Sequence, residues 1–172
     1  GIGTSSRLCE VAGQQYTVGV ITLTNTGDPR EFRIDGVRIG RQLLPPVDKF
    51  DPTGPGGSII MVVATNAPVS SRQIGRIGRR ASLGLARAGG IADHNSGDFI
   101  IMFTNALEGV QLDDASLTPL MRGAIEATEE AVINSVLRAE TMVGRDGNTR
   151  KAIPVEQVRE IMSEQSLYHK SD

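Results

Sequence analysis

At 172 residues, with 39% hydrophobic and 22% charged residues and a formal net charge of -2, the chain is sized for one ordinary domain with a core, and its charge gives no general attraction to nucleic acid or to an anionic membrane. Cys9 is the only cysteine, which excludes an internal disulfide and a thiolate zinc cluster, and His94 and His169 are too few and too far apart to build a metal site by themselves. The longest apolar runs, such as 59–64, are too short to span a bilayer, and no charged segment leads into an apolar one at the N-terminus, so a soluble protein without a signal peptide is expected, cytoplasmic rather than secreted.

Residues 1–7 begin abruptly with Gly1-Ile2-Gly3-Thr4, which reads as the middle of a fold and points to a longer protein. Residues 16–25 are β-branched and alternating, a strand that stops at the turn signal Asn25-Thr26-Gly27-Asp28-Pro29. A short strand is expected over 32–39, with Asp35-Gly36 as its turn or bulge. Residues 44–57 are then irregular, and a loop of that length inside a compact domain is usually functional or disordered. Residues 58–65 form an apolar, β-branched run bounded by turn signals, a buried strand with Ser58 at its first position.

Ser70 or Ser71 caps a helix expected to continue to about residue 88, with Ile74, Ile77, Ala81, Leu85 and Ala88 on one face and Gly75, Gly78 and Gly84 permitting close approach. Arg72, Arg76, Arg79, Arg80 and Arg87 lie largely off that stripe. In a net-acidic chain with few stacking aromatics they form a solvated or interface face rather than a nucleic-acid grip. After Gly89-Gly90 and the turn 94–98, residues 99–104 read as another buried strand. The longest helix is expected from Asp114 through Thr118-Pro119 to about residue 142, presenting Leu117, Leu120, Ala124, Ala127, Ala131, Ile133 and Leu137 to the core. Residues 143–148 form a turn. A last helix opens at Pro154, carries Val155, Val158, Ile161 and Met162, and frays from Ser166.

The junction Gly56-Gly57-Ser58 invites chemistry. Glycine reaches backbone conformations closed to other residues, and without a Cβ on Gly57 its carbonyl is open to a neighbouring hydroxyl. Attack by Ser58 Oγ passes the acyl group from nitrogen to oxygen, and water then cleaves the ester, leaving a chain that begins with Ser58. Such a residue carries a nucleophilic hydroxyl and an α-amine that titrates at roughly 7.7 to 8, suited to a general base. The same residues also suit an ordinary linker before a polar strand-opening serine, and taken alone they leave both readings open.

Several segments together resemble the DmpA-type aminopeptidases, the L-aminopeptidase/D-esterase and β-peptidyl aminopeptidase family that matures by cutting itself before a serine. They are residues 2–7, 16–20, 57–68, Ser96-Gly97-Asp98, 124–130 and 141–147, in the family's order across essentially the whole chain. The resemblance implies an α+β fold, a four-layer αββα sandwich, with 1–57 as the end of an α subunit and 58–172 as a β subunit, one structural domain together. It makes Ser58 the nucleophile and Gly57 the residue whose peptide bond is cut. Asn25 matches the family's oxyanion donor, though in Asn25-Thr26-Gly27 the same residue also suits a turn. Ser96 and Asp98 match a serine and an acid that support the nucleophile and its amine, the acid being the shorter Asp where some members carry Glu. Arg145-Asp146-Gly147 matches a family motif and reads as structural support. No metal or organic cofactor is implied. The partners implied are a short peptide, amide or ester substrate, the remaining α-subunit segment and further αβ units in a homo-oligomer, with no nucleic acid and no membrane. Two other readings remain: acyl transfer as in the ornithine acetyltransferases, whose nucleophile is typically threonine, and an uncleaved, inactive scaffold using the arginine-bearing helix as its interface.

Overall fold

A computed structural model of the chain describes residues 1–25, 27–44, 57–109 and 111–168, with side chains described as far as 165. Four strands, β1 (Ile2–Val11), β2 (Gln14–Asn25), β3 (Ser58–Thr65) and β4 (Gly97–Thr104), form one sheet in that order. β1/β2 and β2/β3 are antiparallel, and β3/β4 is parallel. The β1–β2 hairpin closes through Ala12 and Gly13, both at positive φ (51° and 77°), the two-residue geometry whose twist suits flanking strands.

The sheet has two unlike faces because strand side chains alternate. Cys9, Val11, Val18, Val20, Ile59, Met61 and Val63 point one way and are buried against the helices. The principal cover is α4 (Thr118–Leu137), which presents Leu120, Ala124, Ala127 and Ala131 at helical spacing. Those alanines let α4 lie close to the strands: a Cβ on Gly3 would run into the Ala131 carbonyl, and Thr22 Oγ1 donates to that same carbonyl at 3.2 Å. At one edge of this layer, Ser5 and Arg7 both donate to Glu130 of α4, at 2.7 and 2.6 Å.

The opposite face is also apolar, yet among the described residues nothing covers it. Ile2, Leu23, Ile60 and Phe99 line up across all four strands, and Ile21, Ile101 and Phe103 continue the patch. The described residues thus supply one sheet and one helical layer of a layered sandwich, with the sheet's second apolar face left to receive another layer. This corrects the reading of 99–104 as a buried strand. β4 is the edge of the sheet, and its aromatic residues fall on the uncovered side, with Phe99 64% exposed.

Other local differences have physical reasons. The helix expected over 70–88 is two, α2 (Ser71–Gly78) and α3 (Ala81–Arg87). Ser70 and Gln73 form a reciprocal capping box that starts α2. The break at Arg79-Arg80 lets α2 pack on β4 and α3 on α4, and at Gly78 a Cβ would strike Met102. The arginines of this region are engaged within the chain: Arg72 and Arg76 converge on Asp114 at 2.7 and 3.0 Å, and Arg87 meets Glu129 at 2.9 Å. Donation from Arg72 and Gln73 holds the Asp114 carboxyl below its ordinary range.

Residues 32–39 do not form a strand. A 3-10 turn at Pro29–Glu31, capped by Asp28, leads to a single bridge between Ile34 and Val37 around Asp35-Gly36, and then to the short helix α1 (Ile39–Leu43). The Asp-Gly turn forms with φ of 49° and 77°, but only one residue on each side pairs. α4 stops at Leu137, short of residue 142, because the chain extends into a small hairpin of β5 (Met142–Val143) and β6 (Thr149–Arg150). Asp146 and Gly147, at φ of 58° and 76°, form its tip, the expected turn. The last helix, α5 (Val155–Tyr168), packs near α1 with Val158 buried. Most of the irregular loop expected over 44–57, and residues 169–172 with His169, lie outside the described residues.

Candidate active site

The sheet register assembles the site. Ser58, the first residue of β3, pairs with Asn25, the last of β2, on one side and with Gly97, the first of β4, on the other. Three strand ends therefore meet in one row, with the serine in the middle. Because paired residues project to the same face, Asn25 and Ser58 share the side of the sheet away from α4, and both are exposed.

Ser58 Oγ accepts a hydrogen bond from the Gly97 amide at 3.2 Å. A side chain at Gly97 would crowd that approach, since its Cβ would sit 3.2 Å from the serine oxygen, tighter than an ordinary carbon contact. The nucleophile candidate thus has a side-chain amide on the β2 flank and a backbone N–H on the β4 flank, donors of the kind that steady an oxyanion. Gly57 precedes it and is half-buried; Gly56 and the rest of the glycine-proline run lie outside the described residues.

Ser96 and Asp98 bracket Gly97, and Ser96 Oγ donates to Asp98 Oδ1 at 2.6 Å. Asp98 pairs with Ile59, so it belongs to the alternate set of residues, on the helix side rather than the Ser58 side. The structure therefore brings Asn25, Ser58 and Gly97 into one row and gathers Ser96 and Asp98 as a hydrogen-bonded pair one residue to either side of it. One contributor was not named as a site residue in advance: Gly97 as a donor. The glycine between Ser96 and Asp98 was the available signal, but the parallel register that brings it to Ser58 is not local information.

Among the described residues no group of three or more His, Cys, Asp or Glu side chains could hold a metal ion, and no helix is long and apolar enough to cross a membrane.

Comparison with known proteins places the chain in a family and a fold. Residues 1–150 match peptidase family S58. The β-peptidyl aminopeptidases BapA of Sphingosinicella xenopeptidilytica and Sphingosinicella microcystinivorans are 35% and 33% identical over 184 and 188 residues, in each case 94% of this chain. The chain spans about half the length of these relatives, 46% and 47%. Among solved structures, the PH0078 protein of Pyrococcus horikoshii superposes with a TM-score of 0.85 at 41% identity, covering 96% of this chain and 48% of that one. The L-aminopeptidase D-Ala-esterase/amidase of Ochrobactrum anthropi, a serine aminopeptidase described as a variant of the Ntn hydrolase fold, superposes with a TM-score of 0.83 at 30% identity, again over 96% and 48%. The sheet-and-helix arrangement described above is that fold, and the chain belongs to peptidase family S58, the family of the DmpA-type aminopeptidases.

Proposed function

We propose that the protein containing this chain is a self-processing serine aminopeptidase. It cuts its own Gly57-Ser58 bond and then removes N-terminal residues from short peptides, amides or esters. The observation that carries this reading is the row Asn25–Ser58–Gly97, in which a serine directly after a glycine pairs with Asn25 on one side and accepts a hydrogen bond from the Gly97 amide on the other.

In the first stage Ser58 Oγ attacks the Gly57 carbonyl. The Gly57–Ser58 C–N bond breaks, the serine hydroxyl proton ends on the departing nitrogen, and an ester joins Gly57 to Ser58 Oγ. Water hydrolyses that ester, giving a Gly57 carboxylate and a free Ser58 α-amine. In the second stage that amine, with a solution pKa of roughly 7.7 to 8, takes the Ser58 hydroxyl proton as Oγ attacks the substrate carbonyl, then hands it to the leaving amine; water, deprotonated by the same amine, cleaves the resulting ester, and the proton returns to Ser58 Oγ as the acid departs. Asn25 donates to the oxyanion, a contribution commonly worth about 3 kcal/mol in acyl transfer. Ser96 and Asp98, paired at 2.6 Å, fix the start of β4 and with it the Gly97 amide. Residues 1–57 then act as the end of an α subunit and 58–172 as the β subunit. The rest of the α subunit and further αβ units are the partners this reading requires.

Intact mass under denaturing conditions tests the first stage: two fragments, one of them beginning at Ser58, are expected. Ser58→Ala is expected to abolish both cleavage and turnover, and retained peptidase activity in that variant sinks the proposal.

A further inference from the structure

Resting on the reading of Asn25 as the oxyanion donor, we infer that Thr24 is a positioning residue: its hydroxyl, tied to Ser135 of α4, fixes the end of β2 and so sets where the Asn25 amide stands beside Ser58. Thr24 Oγ1 and Ser135 Oγ lie 2.7 Å apart. Ser135 is fully buried and gives its one hydroxyl proton to the Val132 carbonyl at 2.6 Å, so Thr24 is the donor between the two hydroxyls. Thr24 Oγ1 also lies 3.2 Å from the Gly1 carbonyl. Two residues back along β2, Thr22 Oγ1 donates to the Ala131 carbonyl at 3.2 Å. Ala131 and Ser135 are one helical turn apart on α4, so the two threonines tie β2 to the helix at successive levels.

These hydroxyls sit at one end of the strand only. The positions of β2 that face α4 are Val18, Val20, Thr22 and Thr24, apolar in the body of the sheet and polar as the strand approaches Asn25. Apolar packing has no preferred direction, whereas a hydrogen bond holds its two atoms within a narrow range of distance and angle. Thr24 and Asn25 are neighbours, so their side chains leave opposite faces of the strand. Holding the Thr24 side chain on the helix side therefore fixes the backbone from which Asn25 projects toward the Ser58 side, where Asn25 and Ser58 are paired. A donor aimed at a developing oxyanion works when it is fixed in place before the reaction. Thr24 supplies that fixation from the helical layer and acts only through Asn25.

The test is made on the full-length protein with alanyl and β-alanyl p-nitroanilides, with kcat expressed per folded molecule. Thr24→Val, which keeps the shape and removes the hydroxyl, is expected to lower kcat and kcat/KM equally, about tenfold, with KM unchanged. Thr24→Ser, which keeps the hydroxyl, should hold kcat within about twofold of the wild type. Ser135→Ala removes the acceptor on the helix, should repeat the tenfold loss, and decides alone if the valine variant does not fold. In an Asn25→Ala background Thr24→Val should change kcat by less than about twofold, because nothing is left to position. Undiminished kcat in Thr24→Val, or a loss of the same size in the Asn25→Ala background, overturns the inference. Undiminished kcat in Asn25→Ala alone defeats the donor reading of Asn25 and the inference with it, so the two failures are distinguishable.

Discussion

The two faces of the sheet are built from the same strands and carry different burdens. Toward α4, Val18, Val63 and Met61 are sealed, and small residues at Gly3, Ala124, Ala127 and Ala131 bring helix and strand backbones close. On the other side, Leu23, Ile60 and Phe99 stand exposed in a row, one step along from the row that holds Asn25, Ser58 and Gly97. Stability within the described residues is made on the first face and the proposed chemistry sits at the end of the second. A substitution in the sealed core beneath α4 acts on folding whatever the substrate, and one in the row Asn25–Ser58–Gly97 acts on the reaction.

Substitutions can break or sharpen that separation. The largest expected effect is on the reactive side. Asn25→Ala should lower kcat about 100- to 1000-fold with little change in thermal stability, because an exposed strand-end amide contributes little to folding and much to a developing oxyanion. A variant with undiminished kcat removes Asn25 from the mechanism. The reciprocal change is Met61→Ala on the buried face. It should cost about 2–5 kcal/mol, and with a shift of roughly 2–4 °C per kcal/mol in a chain of this size the melting temperature falls by several degrees or more. The folded fraction should retain its turnover of an alanyl p-nitroanilide, and a lowered turnover per folded molecule would show that the faces are coupled.

The smallest effect is a pH dependence. Hydrogen bonds from Ser5 and then Arg7 hold the Glu130 carboxyl below its ordinary 4.5. A carboxylate with a lowered folded pKa stabilises fully above its unfolded value and loses that contribution as pH falls through the folded one. Glu130→Gln should therefore cost under about 1 kcal/mol at neutral pH, the side chain being 46% exposed, and flatten the decline in urea midpoint below pH 4.5. A variant whose acid profile matches the wild type would show that the Ser5–Arg7–Glu130 cluster contributes nothing by charge.

Much of the helix-facing architecture was legible in the sequence, since β-branched alternation marks β2 and β3 and the alanine spacing of α4 marks its buried stripe. β1 was not read as a strand. Its Thr4, Ser5, Ser6 and Arg7 dilute the apolar signal, and it is held by its hairpin turn and by α4. β4 was legible as a strand, but an apolar run does not say whether its cover comes from described residues. The arginine-bearing helix read as continuous, because the break at Arg79-Arg80 follows from packing on two different elements. Ser58 was legible as a candidate from Gly56-Gly57-Ser58, and the resemblance was needed to prefer chemistry over a linker. The part played by Gly97 was hidden, because a parallel pairing between strands 39 residues apart is fixed by everything between them.

The Gly57-Ser58 bond divides the described sheet, with consequences for its unfolding. β1 and β2 lie before it, whereas β3, β4 and α4 follow it. Among the described residues the interface between the two pieces includes the β2/β3 ladder from Val18–Thr65 to Asn25–Ser58, the packing of β1 and β2 under α4, and the contact of α1 with α5. While the bond is intact, those partners are tethered, and their encounter is intramolecular at an effective concentration on the order of millimolar. Once it is cut, the same contacts hold two separate polypeptides, and unfolding becomes dissociation. In the uncut precursor the pairing of β2 with β3 should be independent of dilution, because both strands are on one chain. The cut form should recover only as concentration rises, so a protein that processes itself exchanges a reversible fold for one whose lifetime rests on how slowly its two pieces come apart.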